Sequence, residues 1–155
     1  RRVSRVICVD TSQAMLDKAG DNLSDLDAVI ELRMGAVETL PLEDEEVDAA
    51  CAHMVLHHLA DVRAGLREMA RVVRPGGVVA CLDMLPHHET WMRECMADTR
   101  LGIDPGDLEA DFRSVGLTAA GRQVLSDSYI VENPSGRRIE LPLFLAYARR
   151  DSPTN

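Results

Sequence analysis

Two groups of residues in this chain have side chains suited to chemistry. The first is Asp10, the single carboxylate closing the apolar run "SRVICVD", followed by Thr11 and Ser12. A carboxylate at a strand end accepts two hydrogen bonds from a cis-diol, which is how nucleotide-binding α/β proteins hold a ribose. The second group is five histidines: His53, His57 and His58 after one apolar run, His87 and His88 after another. Imidazole titrates near neutrality and can take a proton or ligate a metal. His53 is expected to end a strand and so not to share a helical face with His57. The histidines are therefore read as a polar cleft rim, and no metal is expected. Cys8, Cys51, Cys81 and Cys95 form no C-x-x-C pair. Three of them sit in strand-like runs, where they are expected to act as small buried hydrophobes in a reducing compartment.

These groups must be positioned by regular elements, and most of the chain reads clearly. "SRVICV" predicts a strand, and Thr11 or Ser12 caps a helix over 12–22 with Met15, Leu16 and Ala19 inward. "AVIELRMG" and "VDAACAHM" predict two further strands, with the acidic stretch "LEDEEVD" as a solvated turn. In "ADVRAGLREMARVVRPGG" Asp61 caps a helix presenting Val62, Leu66, Met69 and Val73 on one face, and Pro75-Gly76-Gly77 stop it. "VVACLDML" predicts a buried strand, followed by helices over 88–98 and over 105–115, the latter capped by Asp104. Trp91, Met92, Cys95 and Met96 form an apolar stripe that either packs on the sheet or lids an apolar pocket. Two long strand-like runs joined by "ENPSGRR" predict an antiparallel hairpin.

The resulting order predicts an α/β fold: a Rossmann-like, mainly parallel sheet with helices on both faces and a carboxyl-terminal antiparallel hairpin. Residues 1–150 are expected to belong to a single domain, with a disordered tail over 151–155. Ligands in such sheets bind at the carboxyl ends of strands, which selects Asp10 and Thr11, Gly35 to Glu38, His53 to His58 and Asp83 to His88. The net charge of −9 argues against direct binding to nucleic acid or an anionic membrane. No apolar run reaches the roughly 18 residues of a membrane span. A cytoplasmic protein with a small-molecule partner is expected.

At the selected positions the sequence resembles the class I S-adenosylmethionine-dependent methyltransferases of the ubiquinone and menaquinone biosynthesis type. The resemblance is carried by "VICVDTSQAML", "MGAVETLPLEDEEVDAACAHMVLHHL" and "LREMARVVRPGGVVACLDM". A fourth segment, "HHETWMRECMADTRLGIDPGDLEADFRSVGL", is similar to versions that follow a winged-helix arsenic-type repressor. The resemblance implies methyl transfer to a small-molecule acceptor with S-adenosylmethionine as cofactor. It gives Asp10 the ribose hydroxyls, sets Thr11 and Met15 beside the adenosine, makes Gly35, Ala36 and Val37 the adenine wall, and places His53 near the methionine part. Ala36 and His53 depart from the family, which often has an acid and an Asn or Ser there. His57 and His87 are the candidate bases for the acceptor's proton.

The family's glycine loop lies about 20 residues before the ribose acid, and nine residues precede Asp10 here. "RPGG" does not replace it, because it leads from helix to strand. The chain is therefore read as the carboxyl-terminal portion of a methyltransferase domain, lacking the first strand that stands at the sheet centre. Exposed strand edges or rearranged pairing, self-association as a homodimer, and inactivity of the fragment alone are the corresponding expectations. The alternative is a non-catalytic ligand-sensing module derived from a methyltransferase. A dinucleotide-dependent oxidoreductase shares the strand-end acid but not "RVVRPGG" or the hairpin.

Overall fold

The computed structural model describes residues 3–152. Strand β1 (Arg5–Asp10) leads into helix α1 (Gln13–Leu23), whose cap is Ser12, extended and accepting from the Met15 amide. Of the expected inward face, Leu16 is buried while Met15 is 53% exposed. α1 lies mainly against β1 and β2 (Val29–Met34), a layer too narrow to cover a full helical stripe.

Strand β3 (Val47–His53) is followed by one 3-10 turn over Leu56–His58 and by helix α2 (Val62–Val72). Asp61 accepts from the Arg63 and Ala64 amides, as a cap should. Val62, Leu66, Met69 and Val73 are all buried, each contributing about 1.5–3 kcal/mol for a large side chain removed from water. The helix stops earlier than the Pro-Gly pair suggests. Val73 is already extended, and Arg74 to Gly77 belong to strand β4 (Val73–Met84). A Cβ on Gly77 would stand 2.5 Å from the Asp48 carbonyl oxygen, so this glycine is what lets β4 lie close to β3. Arg150 closes the free helix end, its guanidinium donating to the carbonyls of Ala70, Arg71 and Val73.

The helix expected over 88–98 shrinks to α3 (Trp91–Cys95), whereas α4 (Pro105–Ser114) starts at its Asp104 cap as expected. Strands β5 (Leu117–Glu132) and β6 (Arg138–Arg150) form the hairpin. The strand order is β1-β2 in one parallel pair and β3-β4-β6-β5 in a separate sheet, with β3/β4 parallel and β4/β6/β5 antiparallel. The Rossmann-like α/β fold with its antiparallel end is thus present, and its sheet is divided. Among the described residues β1 and β3 each have one edge without a ladder partner, the first of the two arrangements expected.

β6 switches faces along its length. Phe144, Ala146 and Ala148 are buried with Leu66, Met69, Val79 and Phe112 beneath α2 and α4. Ile139 and Leu141 are buried with Met84 and Met92 of α3 on the opposite face. Pro142 sits at the changeover, beyond the last β4 pairing at Leu143, where a missing amide interrupts no ladder to β4.

Only Cys81 of the four cysteines is buried; Cys8 is half-buried, and Cys51 and Cys95 are exposed. The expectation of buried strand thiols fails at Cys51 because it shares with Ala49 and His53 the exposed face of β3, opposite the core-packed Ala50 and Ala52. The acidic stretch is also more than a solvated turn. Arg71 binds Glu68, Asp44 and the Leu40 and Leu42 carbonyls, and Glu46 binds Arg5 and Arg33. Beyond β6, Asp151 accepts from the Thr118 hydroxyl; the remainder of the expected tail, 153–155, lies outside the described residues.

Candidate functional site

The residues selected from the sequence fall at the carboxyl ends of the strands, in two groups on the two sheets. At the end of β1, Asp10 is half-buried; its Oδ1 accepts from the Ser12 amide at 2.8 Å and its carbonyl accepts from the Gly35 amide at 3.1 Å. The expected ribose acid and the expected adenine wall are thereby joined by one main-chain hydrogen bond. A Cβ on Gly35 would stand 2.6 Å from Pro41, so glycine is required here by the loop as well. Ala36 and Thr39 close a tight turn through a 3.1 Å hydrogen bond, and Val37 packs partly into the core. Thr11 and Met15 are exposed beside Asp10, and His53 is exposed at the end of β3.

The second group is a buried polar cluster. Asp83, in the apolar second half of β4, accepts from the His57 amide, the Met84 amide and the His57 ring at Nδ1, the last at 2.7 Å. With its proton fixed on Nδ1, the neutral His57 ring carries its lone pair on Nε2. That Nε2 lies 3.8 Å from Asp98 Oδ1, and His58 Nδ1 lies 3.7 Å from the same oxygen. Both oxygens of Asp98 are buried and make no hydrogen bond. Burial raises the Asp98 carboxyl above its ordinary pKa, against the opposing pull of His57, His58 and His87. His87 Nδ1 accepts from the Glu89 amide at 3.3 Å, which leaves the ring proton on Nε2, buried and unpartnered. Burial lowers the His87 pKa.

The chain is bent to build this cluster. Met54 and Ala97 have φ of 56° and 59°, a left-handed conformation that costs a non-glycine residue about 1–2 kcal/mol. The first turns β3 into the His57 segment; the second ends α3 and turns Asp98 inward. The segments are then tied together, the Arg100 amide donating to the His57 carbonyl and the Thr99 hydroxyl to the His58 carbonyl. His57 and His87 are thus brought to one cluster, while Asp10, Gly35 and Ala36 stand on the other sheet. Asp98 was not among the sequence-selected residues, and Asp83 was selected only as the start of the stretch Asp83 to His88, without a role of its own. A carboxylate inside the run "VVACLDML" was the available signal for Asp83; Asp98 had none.

Residues 1–81 match the family model described as a methyltransferase domain. The chain belongs to this methyltransferase family. It is 45% identical over 78 residues to the demethylmenaquinone methyltransferase of Desulfitobacterium hafniense, a match covering 49% of this chain and 31% of that protein. It is 36% identical over 92 residues to the 2-phytyl-1,4-naphtoquinone methyltransferase of Synechococcus elongatus, covering 58% and 40%. The chain thus spans less than half the length of either relative. The fold is that of a SAM-dependent methyltransferase from Methanosarcina mazei, with a TM-score of 0.66 at 13% identity over 95% of this chain and 82% of that one.

S-adenosylmethionine is the cofactor this methyltransferase domain implies. The Asp10 side of the site suits its nucleoside: a strand-end carboxylate sits one hydrogen bond from the loop carrying Gly35 and Ala36. No helix among the described residues is long and apolar enough to cross a membrane.

Proposed function

We propose that the protein transfers a methyl group from S-adenosylmethionine to a small acceptor of the quinone class in its reduced, hydroxylated form. The observation that carries this reading is the Asp10–Gly35 hydrogen bond, which holds a strand-end carboxylate, a group suited to a ribose, beside the loop of Gly35 and Ala36 in a chain of this family. The two quinone-acting relatives and the half-buried apolar residues Met54, Trp91, Met96 and Leu101 near the cluster support the acceptor class.

When bound, the cofactor supplies an electrophilic methyl on a sulfonium sulfur. In this proposal Asp10 holds the ribose hydroxyls, with Thr11 and Met15 alongside and Gly35, Ala36 and Val37 against the adenine; His53 borders the methionine part. His57 takes the acceptor hydroxyl's proton on Nε2, oriented by Asp83. His87, with its proton on Nε2, donates a hydrogen bond toward the same place. A ring carbon of the hydroquinone, made nucleophilic by loss of that proton, would take the methyl as the cofactor's carbon–sulfur bond breaks; the ring hydrogen it replaces would leave as a proton, and His57 would return the hydroxyl proton.

The test, run on the full-length protein, follows methyl-labelled cofactor into a naphthoquinol. Label transfer is expected, His57→Gln should lower turnover about 10²–10⁴-fold with cofactor affinity little changed, and Asp10→Asn should weaken the cofactor instead. Failure of the protein to label the naphthoquinol would remove the acceptor class, and unchanged turnover in the His57 variant would remove the base. We further propose that these 155 residues alone hold the cofactor weakly, because β1 and β3 stand on separate sheets. Micromolar affinity in a calorimetric titration of this chain would overturn that.

A further inference from the structure

We propose that His57 Nε2, His58 Nδ1 and Asp98 form a binding site for a divalent transition-metal ion, zinc foremost. The three ligand atoms lie within 4.8 Å of one another, with 3.8 Å and 3.7 Å from the Asp98 oxygen to the two ring nitrogens. Zinc bonds of 2.0–2.2 Å put tetrahedral neighbours about 3.3 Å apart, so modest side-chain movement closes the set.

Three features beyond proximity argue for a cation. Asp98 is 4% exposed and both its carboxylate oxygens lack a hydrogen bond, a costly state for a buried charge. Asp83 fixes the His57 tautomer so that an unprotonated nitrogen faces this carboxylate; two electron-pair donors face each other, and a cation between them resolves the conflict. A carboxylate on the far nitrogen of a ligating histidine is also the usual support of a metal-bound imidazole. Two imidazoles with one carboxylate select zinc, cobalt or nickel over magnesium or calcium, which prefer oxygen. His58 is the solvent side of the site, with 42% of its side chain exposed, and gives the ion its entry. Its Nδ1 is 3.4 Å from the Ala97 carbonyl, a weak contact that the ion would replace.

Ion and proton compete for the His57 Nε2 lone pair, so the loaded protein would lack the base proposed above. The metal site itself rests on the cluster and not on methyl transfer, and its test reads the ion directly. The 155-residue chain is titrated with Zn²⁺ by calorimetry and with Co²⁺ by visible absorption, with Mg²⁺ as control. One zinc per chain is expected, Mg²⁺ should not compete, and Co²⁺ should give the visible bands of a low-coordinate site. Asp98→Asn and His58→Ala should each weaken zinc at least tenfold, and Cys51→Ser with Cys95→Ser should not. His58 is exposed, so its variant tests the site without loss of a core residue. No binding by the unmodified chain, or equal binding by both ligand variants, would overturn the proposal.

Discussion

His57 Nε2 and an Asp98 carboxylate oxygen face each other at 3.8 Å, while Nδ1 of the same ring is held by Asp83 at 2.7 Å. One carboxylate is fully matched and the other is left without a donor. Such a buried acceptor typically costs about 1–3 kcal/mol. Asp98→Asn should therefore stabilise the metal-free chain by about 1–3 kcal/mol, because its amide can donate to Nε2. The midpoint of thermal unfolding should rise by several degrees, at about 2–4 °C per kcal/mol for a chain of this size. Unchanged or lower stability would show that the carboxylate is already compensated.

Asp83 should behave in the opposite way. It accepts from two amides and a ring nitrogen, so each of its oxygens has a donor. Asp83→Leu leaves those donors buried and unpaired and should cost about 3 kcal/mol or more. Urea unfolding of the two variants side by side checks the asymmetry; equal effects of the same sign would refute it.

Ala97 offers a backbone test. Its φ of 59° suits glycine, so Ala97→Gly should relieve strain and raise stability by up to about 1 kcal/mol, after the entropy of the freer unfolded chain is subtracted. The same exchange at Ala52, buried in β3, should destabilise. Equilibrium denaturation of both variants reads the difference in sign.

Much of this was legible in the residues. Periodicity marks α2 because Val62, Leu66, Met69 and Val73 repeat at helical spacing, and Asp10 announces itself by closing an apolar run. The shortening of the third helix was not legible. "HETWMRECMAD" has helical spacing throughout, and what ends it is the left-handed turn at Ala97, where the sequence shows no glycine or proline. That turn also hides Asp98, since a carboxylate 41 residues from His57 becomes its neighbour only through tertiary ties. The ion pairs of the acidic loop were equally hidden, because their partners Arg5, Arg33 and Arg71 lie on other elements.

Those ion pairs predict the response to acid. Hydrogen bonds from Arg5, then Arg33, lower Glu31 to about 2, and hydrogen bonds from Arg33, then the Glu43 amide, lower Glu46 to about 2. A carboxyl whose pKa is lower folded than unfolded adds stability above its unfolded value, and loses it as pH falls through the folded one. The unfolded value of a Glu is about 4.3, so the contribution should be intact at pH 7 and fade between about pH 5 and pH 2. Glu46→Gln should be less stable than the unmodified chain at pH 7, with the gap narrowing toward pH 3. These groups are partly exposed, so 1 M salt should shrink the gap at pH 7 as well. Urea midpoints of both chains across this range decide it: a gap that stays constant with pH would mean that Glu46 holds β1 and β2 by packing rather than by charge.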